Sequence, residues 1–160
     1  ADQALRPVDD SRPKSGDAVV IYCAVQNQRY WGEAAQTYAL GAASDAQRTR
    51  HAQAVRALDA MATKAAPGMR ADALAALAAD ALAGDANSAA QYGFGGGIGL
   101  DASEIFAIKA GDETTIEAGA TIALRVILHG AESGAAVTCT LHIGEQGARA
   151  LSRRESLIVI

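Results

Sequence analysis

The side chains best suited to chemistry in this sequence are few and scattered. The histidines are His51, His129 and His142, and the cysteines are Cys23 and Cys139. Neither cysteine belongs to a CxxC pair or a zinc-knuckle spacing, so both read as buried free thiols inside apolar strand-like runs. His51 lies in the polar start of a helix and is expected at the surface. Ser103, Glu104 and His142 would form a serine–histidine–carboxylate set for acyl transfer only if folding brought them together, because such sets are defined in space. The run Gly93 to Gly99 invites comparison with phosphate-cradling loops. It lacks the GxxxxGK[ST] pattern and misses the strict GxGxxG spacing, so it reads as a tightly turning loop.

Composition narrows the classes further. Half of the 160 residues are apolar and only 4% aromatic, so a core built of Ala, Val, Ile and Leu is expected. The formal net charge is −4, and the lysines and arginines do not cluster beyond Arg153–Arg154, which argues against a nucleic-acid partner. No apolar run approaches membrane-spanning length, and Ala1–Asp10 has no apolar leader core. The expectation is a cytoplasmic protein with no membrane partner.

The elements that would position these residues follow from local patterning. Residues 1–16, with Pro7 and Pro13, read as an exposed lead-in or linker to a domain over 17–160. Asp17–Tyr22 is apolar on both sides, as in a strand buried in a sheet, and Arg29–Leu40 is its partner across a turn at Gln26-Asn27-Gln28. Ser44 and Gln47 form a capping box opening a helix that runs to Ala65, before Pro67 and Gly68. A second helix is expected over Arg70–Ala83, with Leu74, Leu77 and Ala81 on one stripe. Further strands are expected at Ile105–Ile108, Thr121–Leu128, Ala136–Ile143 and Leu157–Ile160. Two strands, two helices and then several antiparallel strands make an α+β fold.

Several segments, in order, resemble the creatinase/aminopeptidase family (peptidase family M24, the pita-bread fold). Gly16-Asp17-Ala18-Val19-Val20-Ile21-Tyr22, followed by Tyr30 to Tyr38, is similar to the family's G-D-x-V-x-I-D hairpin and its Y-x-G-Y-x-x-D continuation. Ala66-Pro67-Gly68-Met69 resembles the family's bend between helices. Gly95-Gly96-Gly97-Ile98-Gly99-Leu100-Asp101-Ala102-Ser103-Glu104 resembles G-H-G-I-G-L-D-x-H-E. Ile116 to Gly119 and Leu151 to Ile160 resemble the family's later segments. The resemblance implies a partial pita-bread fold: an antiparallel curved sheet with helices on its outer face, the N-terminal part of the fold being absent from this chain.

Carried over position by position, the resemblance also implies a lost metal site. Family enzymes hold two divalent metals with two aspartates, one histidine and two glutamates. Those positions fall on Tyr22, Glu33, Gly96, Arg125 and Thr138, while the histidine of D-x-H-E falls on Ser103, beside a retained Glu104. An arginine among these positions would repel a metal pair, since a unit charge about 4 Å away costs roughly 4 kcal/mol at an effective dielectric near 20. Arg125 is expected to reach toward Glu33 instead, because a buried charge needs a partner.

Two readings follow. One is a module without metal or other cofactor and without peptidase activity, resembling the peptidase-like domain of the FACT histone-chaperone large subunit. It would bind a peptide or protein, or scaffold an assembly, through a pocket lined by Tyr22, Glu33, Gly96, Ser103, Glu104, Arg125 and Thr138. The other is a metal-independent hydrolase or lyase acting in that pocket on a small amino or amidino compound. In either case an incomplete sheet leaves edges that call for self-association or a second chain.

Overall fold

Ala18–Asn27, rich in β-branched and aromatic residues, and Tyr30–Ala39 build a long hairpin, β1 and β2, in the computed structural model. The structure describes residues 10, 12–130, 133–152 and 156–160. The hairpin is in continuous antiparallel register from Ala18 opposite Ala39 to Asn27 opposite Tyr30. Its turn is therefore at Gln28-Arg29, both with positive φ, rather than at residues 26–28. β1 also runs five residues past the expected end at Tyr22, and its distal half is exposed.

The two helices follow their sequence signals closely. α1 spans Asp45–Lys64, and its capping box is formed: Gln47 N donates to Ser44 Oγ at 3.2 Å while Ser44 N donates to Gln47 Oε1 at 2.8 Å. Gln47, His51, Ala54, Leu58 and Met61 recur at three- and four-residue spacing and form its buried stripe. α2 spans Ala71–Leu82 and buries Leu74, Ala75 and Ala78 against the same core. A 3-10 turn at Ala83–Asp85 and a short helix, α3 (Ala86–Ala90), follow where the sequence had suggested only a break.

The second half is a four-stranded antiparallel sheet. β3 is Gly95–Gly97, β4 is Thr121–Leu128, β5 is Ala135–Gly144 and β6 is Gly147–Ala150, in the order β3-β4-β5-β6. Ile122, Leu124, Val126 and Leu128 from β4 join Val137, Cys139, Leu141 and Ile143 from β5 in one core with Leu58, Met61 and Leu74. At about 25 cal/mol per Å² of apolar surface, burial of such side chains is the main stabilising term. The other sheet has the order β1-β2-β7, where β7 (Ile158–Val159) runs parallel to β2.

Ile105–Ile108 is not a strand. Ala107 makes one isolated antiparallel bridge to Gly96 and Ile105 is 95% exposed, yet the segment hydrogen-bonds along the edge of the glycine strand, Phe94 N donating to Ile108 O at 2.7 Å and Ile108 N to Gly95 O at 2.8 Å. The strand beside it, β3, has no side chains from which a period could be read. It exists because two backbones approach it closely: a Cβ placed on Gly96 would lie 2.5 Å from the Phe106 carbonyl oxygen.

The two sheets are stitched together by threonine hydroxyls at the junction of β2 and β5. Ala35 N donates to Thr138 Oγ1 at 2.9 Å. Thr37 Oγ1 accepts from Ala136 N at 2.9 Å and donates to Ala136 O at 3.1 Å. This seam ties the long hairpin to β5.

Candidate functional site

Strand alternation decides which side chains meet beneath the hairpin. Cross-strand partners share a face, so Ala24 with Glu33 and Tyr22 with Ala35 point to one side, and Ile21, Cys23, Ala34 and Gln36 to the other. On β4 and β5, Arg125 and Thr138 are cross-strand partners turned away from the helical core. The threonine seam brings these two faces together.

The result is a small buried polar cluster. Arg125 Nη1 donates to Glu33 Oε2 at 2.9 Å, and the Tyr22 hydroxyl donates to the same oxygen at 2.7 Å. The Glu33 side chain is 5% exposed and that of Arg125 22%. Glu33 Oε1 is buried with no hydrogen-bond partner among the described residues. Burial, then the hydrogen bond to Glu33 and the negative charge of that carboxylate, raises the Tyr22 pKa above the ordinary phenol value, so Tyr22 keeps its proton. The expected reach of Arg125 toward Glu33 is found. The role of Tyr22 as donor to that carboxylate had no signal in sequence beyond its place two residues from the Glu33 partner on the same strand face.

The other residues carried over by resemblance lie differently. Thr138 is buried beside Arg125 in register but spends its hydroxyl on Ala35 N. Gly96 sits in β3 opposite Ala123, covered by the Phe106 carbonyl. Ser103 and Glu104 are exposed, and Glu104 turns into its own loop, its Oε1 accepting from Leu100 N at 2.8 Å. Trp31 N donates to Gly99 O at 2.7 Å, tying the hairpin tip to that loop. His142 lies in β5 opposite Thr121 and Arg149, and no serine–histidine pair with Ser103 is formed.

Two readings of single residues are corrected. His51 is buried, not exposed, because it continues the i, i+4 stripe from Gln47, and its Nε2 has no partner among the described residues. Burial lowers its pKa below the ordinary imidazole value. Cys23 is exposed, because it begins the distal half of β1, residues 23–27, which is exposed throughout; Cys139 is buried as expected, and burial raises its thiol pKa.

A cavity of about 240 Å³ lies on the opposite face of the hairpin, between Ile21, Cys23 and Tyr38 on one side and Val55 and Leu58 of α1 on the other. It is mostly apolar, with Gln36, Thr138 and Ser152 also in its lining, and Glu33 is not part of it. Among the described residues no three His, Cys, Asp or Glu side chains gather closely enough to hold a metal ion. The Glu33–Arg125–Tyr22 cluster offers one carboxylate already neutralised by a guanidinium, a donor set that does not suit a pair of divalent cations. Nor is any helix among the described residues long and apolar enough to cross a membrane.

Comparison with known proteins gives the frame for this site. The family model for metallopeptidase family M24 matches residues 3–150. The dipeptidase PepE from Mycobacterium ulcerans is 27% identical, with a TM-score of 0.88 over 95% of this chain and 42% of its own. The prolidase from Pyrococcus furiosus is 26% identical, with a TM-score of 0.86 over 92% of this chain and 44% of its own. A prolidase from Thermococcus sibiricus, at 18% identity, shares the fold with a TM-score of 0.90 over 98% of this chain and 43% of its own. No curated protein sequence matches. The chain thus spans less than half the length of the structures it matches, with their mixed α+β pita-bread architecture. With the family model matching nearly the whole chain, the protein belongs to metallopeptidase family M24.

Proposed function

We propose that this chain is a metal-free, non-peptidase M24 module that binds a peptide end or another small zwitterion at the Glu33–Arg125 cluster. The carrying observation is the ion pair itself: Arg125 Nη1 stands 2.9 Å from Glu33 Oε2. A cation fixed there opposes a metal pair through like charge. The same pair suits a ligand bearing both signs. A ligand ammonium would supply the donor that Glu33 Oε1 lacks, and a ligand carboxylate would take the N–H edge of the guanidinium not spent on Glu33.

The prolidases and dipeptidase that share this fold are named for acting on peptides, which favours a peptide end as ligand. Among the described residues no metal-ligating set gathers, which supports binding without hydrolysis. A second reading, metal-independent hydrolysis or elimination on a small amino or amidino compound, rests on the 2.7 Å bond between Tyr22 and Glu33. That bond supplies a phenol with a retained proton beside a carboxylate.

Calorimetric titration with a dipeptide library, followed by chromatography for turnover, tests both readings. Binding without turnover, weakened at least about tenfold by Arg125→Met, is expected. Chelation with EDTA should leave the melting temperature unchanged, and added Zn²⁺, Mn²⁺ or Co²⁺ should not raise it, since a cation bound to the native state would. A rise of several degrees with any of these metals refutes the metal-free reading, and turnover abolished by Tyr22→Phe selects the second.

A further inference from the structure

The Glu33–Arg125 cluster lies at one end of a polar strip. Arg125, Ala123 and Thr121 alternate onto one face of β4, and Thr138, Thr140 and His142 stand opposite them on β5. β2 runs alongside, with Glu33 and Trp31 pointing to one side of the hairpin. The two run the same way. Ala35 N donates to Thr138 Oγ1, Glu33 accepts from Arg125, and Trp31 N donates to Gly99 O at 2.7 Å. Gly99 follows Ile98, whose N–H donates to Thr121 O at 3.1 Å. The strip therefore leads from the ion pair toward Thr121 and His142, and both of its sides are built by this chain's own described residues.

At its far end the strip presents donors without acceptors. His142 pairs across the ladder with Arg149 of β6, so the imidazole and the guanidinium share the face that carries Arg125. Arg149 is exposed and His142 half-buried. Neither side chain has an ion-pair or hydrogen-bond partner among the described residues. A guanidinium only donates, and its planar fork matches a carboxylate. The near end has the opposite need, since Glu33 Oε1 is buried and lacks a donor. A ligand with an ammonium at one end and a carboxylate at the other answers both.

Strand geometry sets the length of that ligand. Thr121, opposite His142, lies four positions from Arg125 on β4, and at about 3.4 Å per residue the two ends are about 13 Å apart. An extended chain spans at most about 3.5 Å per residue, so a dipeptide covers about 7 Å and four residues about 14 Å. We propose that the strip holds an extended peptide of about four residues with both ends free, its ammonium at Glu33–Arg125 and its carboxylate at Arg149 and His142. This ruler rests on the cluster's being a peptide-end site, and it adds the length of the ligand and the chemistry of its other end.

Calorimetric titration of the 160-residue chain with alanine peptides of two to six residues, each as free acid, C-terminal amide and N-acetyl form, tests the ruler. Affinity should peak at about four residues, where the free acid should bind at least about tenfold more tightly than its amide. Arg149→Gln should shrink that difference to less than about twofold, with the circular dichroism spectrum unchanged because the side chain is exposed. Affinity indifferent to length, equal binding of acid and amide, or an advantage of the acid that survives Arg149→Gln overturns the ruler. If N-acetylation still weakens binding in those cases, the amino-end site at Glu33–Arg125 stands without it. Failure of every peptide to bind overturns both.

Discussion

At the scale of single residues, the ion pair between Arg125 and Glu33 dominates. Its two charges are largely removed from water, so each depends on the other. Arg125→Met strips the countercharge from Glu33 and leaves a buried carboxylate held by Tyr22 alone; a loss of about 3 kcal/mol in urea unfolding is expected. The double variant Arg125→Met/Glu33→Gln should recover much of that loss, because the unpaired charge is then gone. This contact was legible in the sequence by charge complementarity once the family resemblance carried both positions over to one former metal site. The burial of His51 was legible too, in the spacing from Gln47 to Met61, but the polar residues around it masked the stripe. Cys23 was not legible: an apolar neighbourhood along the chain does not say which face of a strand another element covers.

At the scale of elements, the seam between β2 and β5 holds the cluster's two halves together. Thr138 accepts from Ala35 N across 103 positions of sequence, and a valine there would keep the shape and remove the acceptor. Thr138→Val should therefore cost about 1–3 kcal/mol, the cost of a buried donor left unpaired, measured by chemical denaturation. If Glu33 and Arg125 depend on that seam for alignment, the same substitution weakens peptide-end binding at the cluster. The helices were read nearly residue for residue, because a capping box and a 3.6-residue period are local signals. The glycine strand was read as a loop, because glycines leave no side-chain pattern, while Ile105–Ile108, read as a strand, pairs with it through a single bridge and a few backbone hydrogen bonds.

At the scale of the whole molecule, stability acquires a slope on the acid side from His51. Its native pKa is lowered by burial, so the unfolded chain binds the proton more readily. Above the unfolded value, about 6.5, both states are neutral and His51 adds no pH dependence. As pH falls through 6.5 the native state loses ground, until pH passes below the lowered native pKa. Thermal melts between pH 8 and pH 5 should show this decline, and His51→Phe should reduce it. The α+β class and the pita-bread fold were legible from the order of motifs. The division into two sheets joined by hydroxyls was not, since nothing along the chain marks where backbone pairing gives way to side-chain bonds.

The backbone crowding over Gly96 also sets an order of events for anyone who would graft an imidazole onto this cleft. Position 96 has no room for even a methyl group while the Phe106 carbonyl stands 2.5 Å from where it would sit. Displacing the Phe106 segment must come first and the new ring second; attempted in reverse, the first change would break the glycine strand rather than furnish it.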